Sequence, residues 1–167
     1  EEILNGSTKN VVHLRAGFFM ENFLGLIEPI VGMGKVFMPM PVGTVLSAVA
    51  TEDIAEHAVK YLLDDSWSGQ LVKSVLGPSD ISLTEATKIF GEAFGKDLEY
   101  VQVPAEQAVA AMGGDAFSES ARQTMIELYE GLSKGLIVPE PPRDAESTTP
   151  TTLADFAKTV MVPMAQG

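Results

Sequence analysis

Arg15, Phe18, Phe19, Met20 and Asn22 place a guanidinium, two aromatic faces, a thioether and an amide in one short stretch, VVHLRAGFFMENF, at residues 11–23. Val11, Val12 and Leu14 are apolar and His13 interrupts them, in a run short enough to be a buried strand. Arg15, Ala16 and Gly17 then form a small-residue turn in which backbone can approach another group closely. Residues 18–28 read as a helix stopped by Pro29. In open α/β sheets ligands sit outside the carboxyl ends of strands, so this strand-to-turn-to-helix junction is the candidate site. Asn22 could hydrogen-bond a carbonyl or an amide of a ligand, or satisfy a nearby backbone group.

Other chemistries find little support. The two histidines, His13 and His57, have too few partners for a metal site: His57 has only Asp53, four residues earlier on the same helix face. Both read as hydrogen-bonded structural residues. The Ser/Thr-rich residues 147–152 have no base to activate a nucleophile. Zero Cys excludes disulfides, thiolate catalysis and Cys-based zinc sites, and fits a cytosolic protein. A net charge of −12, with 11 Lys and Arg in 167 residues, argues against nucleic acid and against an anionic membrane surface. No apolar run reaches the roughly 18 to 20 residues that a membrane span needs. Hydrophobic content of 46% and charged content of 20% belong to an ordinary globular chain.

The elements that would hold the junction follow from pattern. Strands are predicted at residues 10–15, 44–50, 71–76 and 98–103. Residues 31–41 read as a Gly-, Met- and Pro-rich excursion with a short extended piece at 35–38, its methionines lining a pocket or filling core gaps. Thr51 is the expected N-cap of a helix that buries Ile54, Ala55, Ala58, Val59, Leu62 and Leu63. Ser82 and Glu85 form a capping box for a helix ended by Gly95. Further helices are expected at 105–112, closed by Gly113 and Gly114, at 118–133, and after Thr151 or Thr152. Residues 139–150 hold four prolines and read as a surface loop.

The same stretches carry a resemblance. LRAGFFMEN (14–22) resembles a segment of the NmrA-like proteins, atypical members of the short-chain dehydrogenase/reductase superfamily. VLSAVATEDIAEHA (45–58) resembles that family's strand followed by a "DIA" helix, and VLGPSDISLTE (75–85) its later strand, turn and helix start. TTPTTLADFAKTV (148–160) resembles its C-terminal end. The resemblance implies an α/β fold, the C-terminal part of a Rossmann-type NAD(P)-binding domain with a small substrate-side subdomain. Residues 1–17 and 71–78 would supply Rossmann strands, and 18–70 and 79–167 mainly substrate-side and C-terminal elements. The family's glycine-rich fingerprint and its Tyr-x-x-x-Lys pair do not occur in this sequence. The chain is therefore read as the C-terminal portion of a longer protein, inactive alone.

What the family does implies NAD or NADP as cofactor, with Arg15, Ala16, Gly17 and Phe18 beside the nicotinamide, and Phe19, Met20 and Asn22 lining the substrate space. The bland alternative for residues 15–18 is a plain strand-to-helix turn with a core Phe. The parent would be a cytoplasmic oxidoreductase reducing a small quinone or carbonyl substrate, or a non-catalytic NAD(P)-sensing regulator. Self-association or a protein partner is a further expectation, because a sheet edge would be left open.

Overall fold

The computed structural model describes residues 1–113 and 116–167. Helix α1 (Glu2–Ser7) leads into strand β1 (Val11–Ala16). A two-residue strand β2 (Phe18–Phe19), a 3-10 helix (Met20–Leu26) and helix α2 (Ile27–Met33) follow. Strands β3 (Lys35–Met38), β4 (Val45–Leu46) and β5 (Ala48–Val49) precede helix α3 (Thr51–Leu63). Then come β6 (Gln70–Val75), β7 (Ile81–Ser82), helix α4 (Leu83–Phe94) and β8 (Glu99–Gln102). Helices α5 (Ala105–Ala111) and α6 (Glu119–Ser133) lead to a C-terminal run. That run consists of α7 (Leu153–Phe156), a π-helical turn (Ala157–Met161) and α8 (Val162–Met164). Gly114, the second glycine of the expected stop, lies outside the described residues.

Strands β1 and β6 run side by side in parallel, from Val11↔Gln70 to Ala16↔Val75, with α3 in the connection that a parallel pair requires. β2 pairs with β5 and β3 with β8, both in parallel, whereas β4 and β7 are antiparallel.

The helix expected over residues 18–28 does not form as one piece. Phe18 and Phe19 are extended because they pair with Ala48 and Val49. The following 3-10 turn has three residues per turn, and burial repeats with that period: Met20, Phe23 and Leu26 are buried while Phe19, Asn22 and Gly25 are exposed. Pro29 does not stop the chain. It is the third residue of α2, where an N–H would have no intrahelical acceptor, so its missing donor costs nothing. The helix ends instead at Gly34, with φ +66°. The strand expected over 44–50 divides at Ser47, with β4 and β5 pairing to different partners.

Helix α3 is rotated away from its apolar pattern. Its buried residues are Asp53 and His57, while Val59, Leu62 and Leu63 are 47%, 79% and 80% exposed. The polar stripe wins because it has partners: Asp53 accepts from Thr151 Oγ1 at 2.8 Å, and Tyr61 donates to Glu146 at 3.0 Å. Of the expected apolar stripe, Ile54 and Ala58 are half-buried, and Ala55, Val59, Leu62 and Leu63 are exposed. Thr51 does not cap the helix either. Ala50 holds the cap position, and the carboxylate of Glu21 accepts from the Thr51 N–H at 2.9 Å. By contrast the Ser82–Glu85 capping box forms as expected, and α4 buries Leu83, Ala86 and Phe90. Met38 and Met40 lie in the core, so the methionines of 31–41 divide between core filling there and exposure at Met33. On α6, Tyr129 is buried, Met125 and Leu132 are half-buried against the core, and Leu128 is exposed.

Two glycines fix how the sheet pieces meet. A Cβ on Gly17 would stand 2.0 Å from the Ser47 carbonyl oxygen, and one on Gly77 would stand 1.8 Å from that of Ala48. Neither backbone oxygen can retreat without breaking the β2–β5 pairing. Gly17→Ala and Gly77→Ala are each expected to destabilise the protein by about 2 kcal/mol or more, as overpacking against backbone does. Gly25→Ala, which meets nothing within 4 Å, should change stability by less than about 1 kcal/mol. Urea unfolding of the three variants checks the ranking.

Candidate functional site

The carboxyl ends of β1 and β6 run into Gly17 and Gly77, and β2 carries the chain away beside β5. At this junction the N–H groups of residues 17 and 18 are already used. Gly17 donates to the Val75 carbonyl and Phe18 to that of Ser47, both at 2.9 Å. The Arg15 guanidinium is also engaged: it pairs with Glu1 at 2.7 Å and donates to the Glu140 carbonyl at 2.9 Å. That pair holds the Glu1 carboxyl down at about 2. Ala16 ends β1 with its backbone in register with Val75. The lack of a side chain at Gly17 is therefore explained by Ser47, without any ligand.

The two phenylalanines part company because successive side chains on an extended segment point to opposite sides. Phe18 turns inward, its ring 5.3 Å from that of Phe23, which stands 5.2 Å from that of Phe90. Phe19 turns outward and is 41% exposed. Asn22 follows one 3-10 turn later on the same exposed edge, and its amide makes no hydrogen bond to a described residue. Met20, expected on the substrate side, is 1% exposed and belongs to the core. Of the seven candidate residues, Phe19 and Asn22 are both exposed, and the side chains of Arg15, Phe18 and Met20 are engaged elsewhere.

Sequence reasoning missed a polar cluster beside this edge. Asp80 accepts from Ser47 Oγ and from Arg143, and Arg143 also donates to the Gly77 carbonyl. The Ser47 hydrogen bond, with Arg143 behind it, holds the Asp80 carboxyl below its ordinary value of 3.8. These residues come from three separate stretches, so no spacing announces them. The Pro-rich residues 139–150 are laid across the end of β6 by the same kind of contact. Leu76 N–H donates to the Ser147 carbonyl at 2.7 Å, Thr149 N–H donates to the Leu76 carbonyl at 2.8 Å, and Glu146 pairs with Lys73 at 2.8 Å. His57 lies under this segment, and burial pushes its pKa down from 6.5. His13 is tied to Asn5 at 2.8 Å, in keeping with a structural role.

Parallel strands joined through a crossover helix, with a glycine-turned junction at their carboxyl ends, define a Rossmann-type α/β fold. The chain belongs to the NmrA-like family, whose sequence profile matches residues 1–154. It is 35% identical over 116 residues to an NAD(P)H azoreductase of Xenophilus azovorans, covering 70% of this chain and 40% of that protein. It is 28% identical over 148 residues to an uncharacterized oxidoreductase of Bacillus subtilis, covering 86% of this chain and 51% of the relative. The chain thus spans about half the length of these curated relatives, or somewhat less. Among solved structures, an Escherichia coli NADPH-dependent quinone oxidoreductase complexed with NADPH superposes with a TM-score of 0.74 at 20% identity. That match covers 93% of this chain and 55% of the other. No helix among the described residues is long and apolar enough to cross a membrane.

The Asp80 cluster has a pH signature. A carboxyl whose folded-state pKa lies below its unfolded value stabilises the fold above the unfolded value, and that stabilisation is lost as pH falls through the folded one. Acidification from about pH 5 to about pH 2 should therefore weaken the protein, with the loss beginning near the unfolded carboxyl value of about 3.9. Asp80→Asn is expected to be less stable than the parent at neutral pH and to lose less on acidification. Denaturant midpoints measured across that range check both.

Proposed function

We propose that the intact protein is a cytoplasmic NAD(P)H-dependent oxidoreductase acting on a small quinone or carbonyl acceptor, and that this chain supplies its substrate-side wall. The observation that carries the reading is the exposed Phe19 ring and, three residues on, the exposed Asn22 amide, which has no hydrogen-bond partner among the described residues, at the carboxyl end of a Rossmann-type strand pair. Family membership supports it, as do relatives named an NAD(P)H azoreductase and an oxidoreductase.

In this reading residues 15–18 pack against the nicotinamide end of NAD or NADP and do not hold its pyrophosphate. A pyrophosphate needs several free N–H groups at a helix start. Here those of Gly17 and Phe18 are hydrogen-bonded within the protein. Residues 15–18 are held in place by hydrogen bonds to Val75, Ser47 and Glu140. When bound, a reduced nicotinamide supplies a hydride, and the acceptor leaves as the hydroquinone or alcohol after taking one further proton from solvent. The Phe19 face would stack on a planar acceptor and exclude water from one side of it. The Asn22 amide would hydrogen-bond an acceptor oxygen and orient the reacting carbon. Such stacking is worth about 0.5 to 1.5 kcal/mol beyond buried area, up to roughly tenfold in affinity.

The test is a fluorescence titration of the intact protein with NADPH, followed by the consumption of NADPH in the presence of 1,4-benzoquinone. Phe19→Ala and Asn22→Ala are each expected to raise the KM for the quinone about three- to tenfold while leaving NADPH affinity within about twofold. Met20→Leu, a volume-conserving change in the core, should leave both unchanged. NADPH binding without turnover of any quinone or carbonyl would reject the enzyme in favour of a cofactor-sensing protein. Failure to bind NADPH or NADH would reject the reading entirely.

A further inference from the structure

We infer that Glu21 is a positioning residue, which sets the direction of Phe19 and Asn22 by tying their 3-10 turn to the amino end of α3. The inference rests on the substrate-side reading of those two residues and adds a residue to it.

The first N–H groups of α3 have no intrahelical acceptor, and Ala50 at the cap position has no side-chain oxygen to offer. Glu21 supplies it from a distant part of the chain. Its carboxylate accepts from the Thr51 N–H at 2.9 and 3.1 Å through its two oxygens, and from Thr51 Oγ1 at 2.6 Å. The positive end of the α3 dipole favours a carboxylate at this place. The geometry of the contact follows from the parallel register. Phe19 pairs with Val49, so the chains leave β2 and β5 on the same side and bring residues 21 and 51 face to face.

A 3-10 helix turns by a third of a circle per residue. Its three faces here have distinct fates. Met20, Phe23 and Leu26 enter the core, Glu21 meets Thr51, and Phe19 and Asn22 face open space. Two anchored faces fix the rotation of the third. Core packing of Met20, Phe23 and Leu26 holds one face, and the Glu21–Thr51 contact holds a second. With the Glu21 carboxylate engaged at three points, Asn22 has one direction available. Glu21 does not touch the acceptor; it acts through its neighbours.

The experiment uses the intact protein with Glu21→Ala, Glu21→Gln and Thr51→Ala. Its readouts are the KM for 1,4-benzoquinone, the NADPH dissociation constant, the amide exchange rate of Thr51, and the NMR signals of the Asn22 side-chain amide. Glu21→Ala is expected to raise the KM about tenfold, leave NADPH affinity within about twofold, speed Thr51 exchange and move the Asn22 signals. Glu21→Gln, whose amide oxygen still accepts from Thr51, should restore the KM to within about threefold and return the Asn22 signals. Thr51→Ala should show a smaller effect that vanishes in the Glu21→Ala background, as expected for two residues acting through one contact. Faster Thr51 exchange with an unmoved KM and unmoved Asn22 signals would show that Glu21 only caps the helix, and would overturn the inference. If no acceptor is turned over by the parent, the functional reading falls, and the Asn22 signals still decide the positioning role.

Discussion

The close approach of two glycines to two neighbouring carbonyls is the constraint on which this fold depends. Gly17 follows β1, Gly77 follows β6, and each lies where a side chain would collide with the backbone oxygen of Ser47 or Ala48. Through that contact the parallel pair β1–β6 is locked to the pair β2–β5, although no strand joins them in one ladder. The hydrogen bonds from Gly17 to Val75 and from Phe18 to Ser47 are made on either side of the crossing. A larger residue at either glycine would part the strands and release donors that have no other partner.

From this crossing the candidate site follows by alternation. Once Phe18 is committed to Ser47 and Ala48, its ring points to Phe23, which in turn meets Phe90, and the next ring points away. The tight 3-10 turn then keeps Asn22 on the side of Phe19 and sends Met20 and Phe23 inward. An α-helix over the same residues would advance by 100° per residue and separate Phe19 from Asn22 by about 60°. The open edge with one aromatic face and one amide unpartnered among the described residues follows from backbone pairing together with the Glu21–Thr51 contact.

Charge does a different job. The proline-rich residues 139–150 have little apolar surface with which to pack, and they are held by polar contacts from several directions. Arg15, Ser74, Arg143, Glu146 and Thr151 each reach another element. Helix α3 answers to the same segment: it buries Asp53 and His57 toward it and leaves Leu62 and Leu63 outward. Satisfying buried polar groups outweighs burying a leucine stripe here. An unpaired buried carboxylate costs several kcal/mol, more than one exposed leucine loses.

The sequence by itself determined what depends on near neighbours. The β-branched run at Val11 and Val12, the Ser82–Glu85 capping box, the glycine stop at Gly95 and the Thr152 cap were legible because each is a contact within a few residues. The motif order around Gly17 and the DIA helix was enough to indicate the family. The tertiary structure alone decided which side chains are free. That Arg15 is taken by Glu1 and Glu140, that Met20 is core, that α3 buries its polar stripe, and that Glu21, Ser47, Asp80 and Arg143 surround the junction all depend on contacts between distant stretches. Hydrophobic periodicity reports which residues prefer burial but not which partners will compete for them. A hydrogen bond such as that from Thr51 to Glu21, 30 residues away, becomes visible only when parallel strands bring the two chain segments side by side.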